Sequence, residues 1–245
     1  MSDIKIGYAN GGINLKDYRF PTSALMVPEM GDYVNSTEFD TVYGYTCSRT
    51  LLITKAGQFF VKEGMYFCVP SPMKAVSTGE GRNGNKKGSI LIIVRHKYRG
   101  VFSIGGPIEE KGRLRYIDGC SDSLLLPPPR LGDPCLNFLH FPKNINQTMH
   151  THPSVRIGVV ARGAGVCQTP EGEFDLVPGM LWFLPEGKPH KFMTKDNTMD
   201  VIAWHPETDT GPNDEDHPMI NRTIVNGASA NKMWNIKTQG EIRNE

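Results

Sequence analysis

Two short stretches decide the fold: HTHPSVRIGVVARG (150–163) and GMLWFLPEGKPH (179–190). His150 and His152 stand two apart, and on an extended chain residues i and i+2 share one face. If that face lines a barrel interior, both imidazoles reach a common point. In the second stretch the tight Pro185-x-Gly187 turn reverses the chain into the facing strand and delivers His190 opposite the first pair. Three convergent neutral imidazoles make a facial N3 set with open positions, suited to Fe(II), Mn, Zn, Ni or Cu.

Working outward, the second stretch has a partner in the first half of the chain. A shift of 115 residues lays Gly57 on Gly172, Gly64 on Gly179, Met65 on Met180 and Pro70 on Pro185, so GQFFVKEGMYFCVP and GEFDLVPGMLWFLP share a strand–turn–strand pattern. Duplicated β-domains are the simplest explanation. Segments of strand length surround both copies: TVYGYT (41–46), TLLIT (50–54) and SILIIVR (89–95) in the first, LNFLHF (136–141), QTMHTH (147–152), HKFMT (190–194) and MDVIAW (199–204) in the second. Gly (26) and Pro (18) make up roughly 18% of the 245 residues, against an ordinary combined usage of about 12%, as expected of short strands joined by turns.

The first copy keeps the glycines and proline without the imidazoles. None of the seven histidines precedes His96. By the same shift Ala75 falls where His190 stands, and Asn35 and Thr37 fall near the histidine pair, so a purely structural role is expected of this half.

The two motifs resemble those of the cupin superfamily, G-x5-H-x-H-x3,4-E-x6-G and G-x5-P-x-G-x2-H-x3-N. The first matches at His150, His152 and Gly163, with Asn144 for the leading Gly; the second matches through His190, with Thr194 for Asn. The resemblance implies an all-β chain of two tandem double-stranded β-helix (cupin, jelly-roll) barrels. Its expected organisation is an arm (1–20), a degenerate barrel (21–100), a connector containing SLLLPPPRLGDP (101–136), a metal-binding barrel (137–207) and a polar tail (208–245) with a short helix near ASANKMW. GEGRNGNKKG (79–88) reads as an exposed, mobile hairpin loop.

Arg156 stands where the family's metal-binding Glu would be. A cation beside a divalent metal is repulsive unless an anion lies between them. One reading therefore makes Arg156 a clamp on a carboxylate or phosphate, with a catalytic role; the other pairs it with an acid of the barrel wall. The resemblance implies metal ligation by His150, His152 and His190, with Fe(II) first and Mn, Ni or Zn as alternatives. Phe192, beside His190, is expected to contact substrate, with Met149 or Thr151 on the same wall. His140, His205 and Cys167 are expected to be structural, Trp182 and Trp204 to belong to the core, and His217 to lie in a loop that is either exposed or a lid.

Lys plus Arg (27) and Asp plus Glu (26) leave a net charge of +1, which removes the electrostatic case for nucleic acid. No run of about 18 apolar residues and no apolar signal-peptide core occur, and the five cysteines form no CxxC pair, so a cytoplasmic location with reduced thiols and no membrane partner is expected. The leading functional expectation is a three-histidine Fe(II)-type dioxygenase acting on a small anionic molecule, with a homodimer implied by the resemblance. The alternatives are a non-catalytic cupin binding a sugar, organic acid or nucleotide, and a metal-dependent isomerase or lyase, which the lack of an obvious general base weakens.

Overall fold

A computed structural model describes residues 4–7, 12–16, 18–78 and 88–233. The chain folds into two sandwiches of antiparallel strands. In the first, a sheet ordered Ser103–Gly105, Tyr66–Pro70, Thr41–Thr46, Gly88–Arg95, Thr22–Pro28, Ile13–Leu15 packs on a sheet ordered Asp32–Asn35, Met73–Ser77, Thr50–Thr54, Gly57–Val61. In the second, the order is Lys5–Gly7, Leu181–Leu184, Arg156–Gly163, Met199–His205, Cys135–Phe141, Ser121–Leu126, Leu114–Arg115, packed on Gly172–Leu176, Gly165–Thr169, Lys191–Met193. The strand orders repeat from one half to the other. So does the backbone: Gly64 and Gly179 turn at φ of 84° and 82°, a region that favours glycine.

Three apolar cores follow from strand alternation. One fills each barrel. The third joins them: Leu136, Phe138, Ile157, Phe183 and Trp204 of the second large sheet meet Tyr43, Tyr45, Leu91 and Ile93 of the first. Tyr43 and Trp204 pack as tilted rings with centroids 5.9 Å apart. This is why Thr41–Thr46 is buried at every position instead of alternating.

Several expectations change. The segment 101–136 is woven into both sheets: Ser103–Gly105 pairs with the first barrel, and Ser121–Leu126 pairs with Cys135–Phe141 of the second. The three prolines only end the strand, because they have no N–H to give the ladder. QTMHTH is not a regular strand; isolated bridges at Asn146 and His150 hold it, and Pro153 stops the pairing that would follow. The arm contributes Lys5–Gly7 to the edge of the second barrel. The tail's α-helix is Pro218–Arg222, capped by His217, while Ala230–Lys232 is a single 3₁₀ turn. Residues 79–87, read as a mobile loop, lie outside the described residues, as does Trp234 of ASANKMW.

Among the described residues all five cysteines are free, and no helix is long and apolar enough to cross a membrane.

Candidate metal and small-molecule site

His150 and His190 form an isolated antiparallel bridge, each amide donating to the other's carbonyl at 3.0 Å. Gly187, at φ 69°, donates its N–H to the His152 carbonyl at 2.9 Å, which ties the Pro-x-Gly turn to the second histidine. The three rings converge, with centroid separations of 4.5, 5.0 and 5.1 Å, and they offer nitrogens lying within 4.8 Å of one another.

Their protonation suits a metal. His150 Nδ1 donates to the Thr148 carbonyl at 2.8 Å and His190 Nδ1 to the Lys188 carbonyl at 2.9 Å, which leaves each Nε2 with a lone pair. Nε2 of His190 is buried without a partner among the described residues. Burial, followed by the positive charge of Arg156, pulls His152 down to about 3, and burial pulls His190 down to about 4. Both are neutral near pH 7. The donor set thus fits a divalent ion.

His152 and His190 line a cavity of about 230 Å³ inside the second barrel. Every second residue of the large sheet points into it: Arg156 from one strand, Trp182 and Leu184 from the next, Ala203 and His205, Asn137, Leu139 and Phe141, and Asp122 from the strand beyond. Phe192 and Tyr116 complete the wall.

The Arg156 guanidinium is bonded to Ser154 and Val155 (2.7 Å to Ser154 Oγ), and among the described residues it makes no ion pair. The acid whose charge acts most on it is Glu207, which lies beyond ion-pair distance. Gly158 sits opposite Trp182 and Gly44 opposite Phe67, so Val42 is the counterpart of Arg156 and Leu25 that of Asn137. Met73, not Ala75, faces Asn35 where His190 faces His150. Aliphatic side chains fill the interior that the second barrel leaves open.

Met149 and Thr151 point outward and are exposed. His205, expected to be structural, lines the cavity; it donates from Nδ1 to the Glu207 carbonyl at 2.7 Å and is pulled to about 4 by burial and Arg156. His140 is buried against Asp200 at 2.7 Å, and Cys167 lies in the core with its thiol pushed up to about 12 by burial. Asp122, Asn137 and Tyr116 are wall residues with no motif around them.

Solved structures with this architecture span both halves of the chain. A cupin 2 conserved barrel domain protein from Leptotrichia buccalis is similar over 83% of this chain and 89% of its own, at 14% identity and a TM-score of 0.55. The putative glyoxylate-induced protein of Pseudomonas aeruginosa matches over 86% and 82%, at 11% identity and 0.58. The fold is a cupin fold, present twice. Salicylate 1,2-dioxygenase from Pseudoaminobacter salicylatoxidans, in a structure of its adducts with gentisate, is similar to this bicupin over 82% of this chain and 75% of its own, at 7% identity and 0.53. Residues 133–204 of the bicupin match the model of the AraC-like ligand-binding domain, a stretch that contains both histidine motifs. No curated protein matches the sequence.

Proposed function

We propose that this bicupin binds a divalent metal ion, Fe(II) first, through His150, His152 and His190 and acts as a dioxygenase on a small carboxylate-bearing molecule held by Arg156. The observation that carries this reading is an arginine that makes no ion pair among the described residues and shares a cavity wall with His152 and His190 of the histidine cluster. A largely buried guanidinium with no carboxylate in hydrogen-bonding contact is costly, and a ligand carboxylate supplies one through a two-pronged hydrogen bond. Bound Fe(II) would supply coordination positions for substrate and O2 and the reducing electron that O2 activation needs. Arg156 orients the carboxylate, and Phe192, Phe141 and Leu184 exclude water from the reacting end. The gentisate named for one neighbour is an anion of this type.

The similarity to a ligand-binding domain favours, as second reading, a non-catalytic pocket for an organic acid. Metal analysis of the purified protein, with His150→Ala as control, followed by O2 uptake on adding carboxylates to the Fe(II)-loaded protein, separates them. Stoichiometric metal lost in the variant, and substrate-dependent uptake, support the dioxygenase. Metal content unchanged by the substitution overturns the ligand assignment; metal without uptake leaves the binding reading.

A further inference from the structure

Five buried side-chain atoms lack a hydrogen-bond partner among the described residues: Arg95 Nε, Asp122 Oδ1, Trp182 Nε1, His190 Nε2 and Trp204 Nε1. Three of these residues, Asp122, Trp182 and His190, line the one cavity. A metal accounts for His190. Asp122 has no such account, and an unpartnered carboxylate oxygen is costly to bury.

Its orientation is built. Asp122 sits opposite Leu139 on the strand next to Cys135–Phe141. The Cys135 thiol donates to Asn137 Oδ1 at 2.8 Å, which leaves the Asn137 amide N–H groups for the carboxyl. Asn137 and the Ser123 backbone N–H both hydrogen-bond that carboxyl, while Oδ1 has no partner among the described residues. Burial raises this carboxyl to about 6, so near pH 7 it is mostly an ionised acceptor.

Arg156 and Asp122 stand on strands separated by Met199–His205 and Cys135–Phe141. Three strand spacings of about 4.8 Å make roughly 14 Å along the sheet, and two inward-pointing side chains narrow that to the length of a small molecule. The wall between them is apolar at Leu139, Phe141 and Ala203.

We infer that Asp122 is a specificity-determining residue that accepts the O–H of a ligand whose carboxylate is bound by Arg156, so that the pocket selects hydroxy acids with an apolar spacer. This rests on the anion-binding reading of Arg156. One free acceptor oxygen matches one hydroxyl, whereas an ammonium brings three N–H donors.

The test is calorimetric titration of the purified protein with benzoate and with 3- and 4-hydroxybenzoate, whose ring is a rigid spacer, so the readout is affinity and not turnover. One of the hydroxylated acids is expected to bind between roughly tenfold and hundredfold tighter than benzoate. Asp122→Ala should abolish that advantage and leave benzoate bound at least as tightly, since a negative charge is removed from the cavity, and the unfolding midpoint of the variant in urea reports an intact fold. Equal binding of all three acids to the wild-type protein, or an advantage that survives the substitution, overturns the role of Asp122 while the Arg156 pocket stands. Benzoate binding that is absent, or indifferent to Arg156→Gln, overturns both.

Discussion

His150 and His190 are joined through the main chain: each amide donates to the other's carbonyl at 3.0 Å, and their rings lie 4.5 Å apart. Two of three candidate ligands are thus positioned by backbone pairing, with the third tied in by Gly187, so little side-chain order must be created on binding a metal. Because His150 is only half-buried, its removal separates ligation from folding. His150→Ala is expected to weaken divalent-metal affinity by more than about hundredfold, beyond what loss of an outer-shell partner costs, with little change in the melting temperature of the metal-free protein. Chelator-competition titration measures the first and calorimetry the second.

Arg156 acts on its neighbours by charge. It contributes to holding His152 near 3 and His205 near 4. In Arg156→Gln both histidines should titrate at higher pH, followed by NMR of the ring protons, and affinity for small carboxylates should fall at least about tenfold. Arg156→Glu should go further, tightening metal binding while repelling the anion. Metal affinity that is equal or weaker in that variant would contradict a guanidinium placed beside the ion.

The site was legible in the sequence where it is written in local spacing. His150-x-His152, Pro185-x-Gly187 and His190 are spacings of a few residues, and the copy at Gly57 and Gly64 exposes the duplication. Asp122 is different. Whether an acid on a strand faces a core or solvent depends on its partner, here Leu139 two strands from Arg156, and no short-range pattern records that register. His205 is similar: it follows Trp204, which faces the other barrel, so alternation turns it inward once the strand is known to have two buried faces.

Stability against pH should show opposing contributions from one cavity. His205 has a lowered value of about 4 against about 6.5 unfolded, so its contribution is present above 6.5 and is lost as pH falls toward 4. Asp122 is raised to about 6 against about 3.9 unfolded, so it stabilises least where it is ionised: stability is lost as pH rises from about 4 through 6. The gain in melting temperature from Asp122→Asn should therefore be small at pH 4 and full by pH 7. A gain independent of pH would show that the carboxyl is not buried as described.

Gly158 and Gly44 occupy matching places, each beneath an aromatic ring of the neighbouring strand, Trp182 and Phe67. A methyl group at either would overlap that ring, but only at Gly158 would it also collide with backbone, the carbonyl oxygen of Ile202. A phenyl ring can tilt away at moderate cost; a carbonyl inside the ladder between Arg156–Gly163 and Met199–His205 moves only with its strand. Gly158→Ala is expected to destabilise by about 3 kcal/mol or more, the upper end for overpacking, and Gly44→Ala by less, both measured by urea unfolding. Because Trp182 lines the cavity, Gly158→Ala should also weaken carboxylate binding, whereas Gly44→Ala, in the filled barrel, should leave it unchanged. The reverse order of stabilities would mean that the two barrels do not share the packing of this strand.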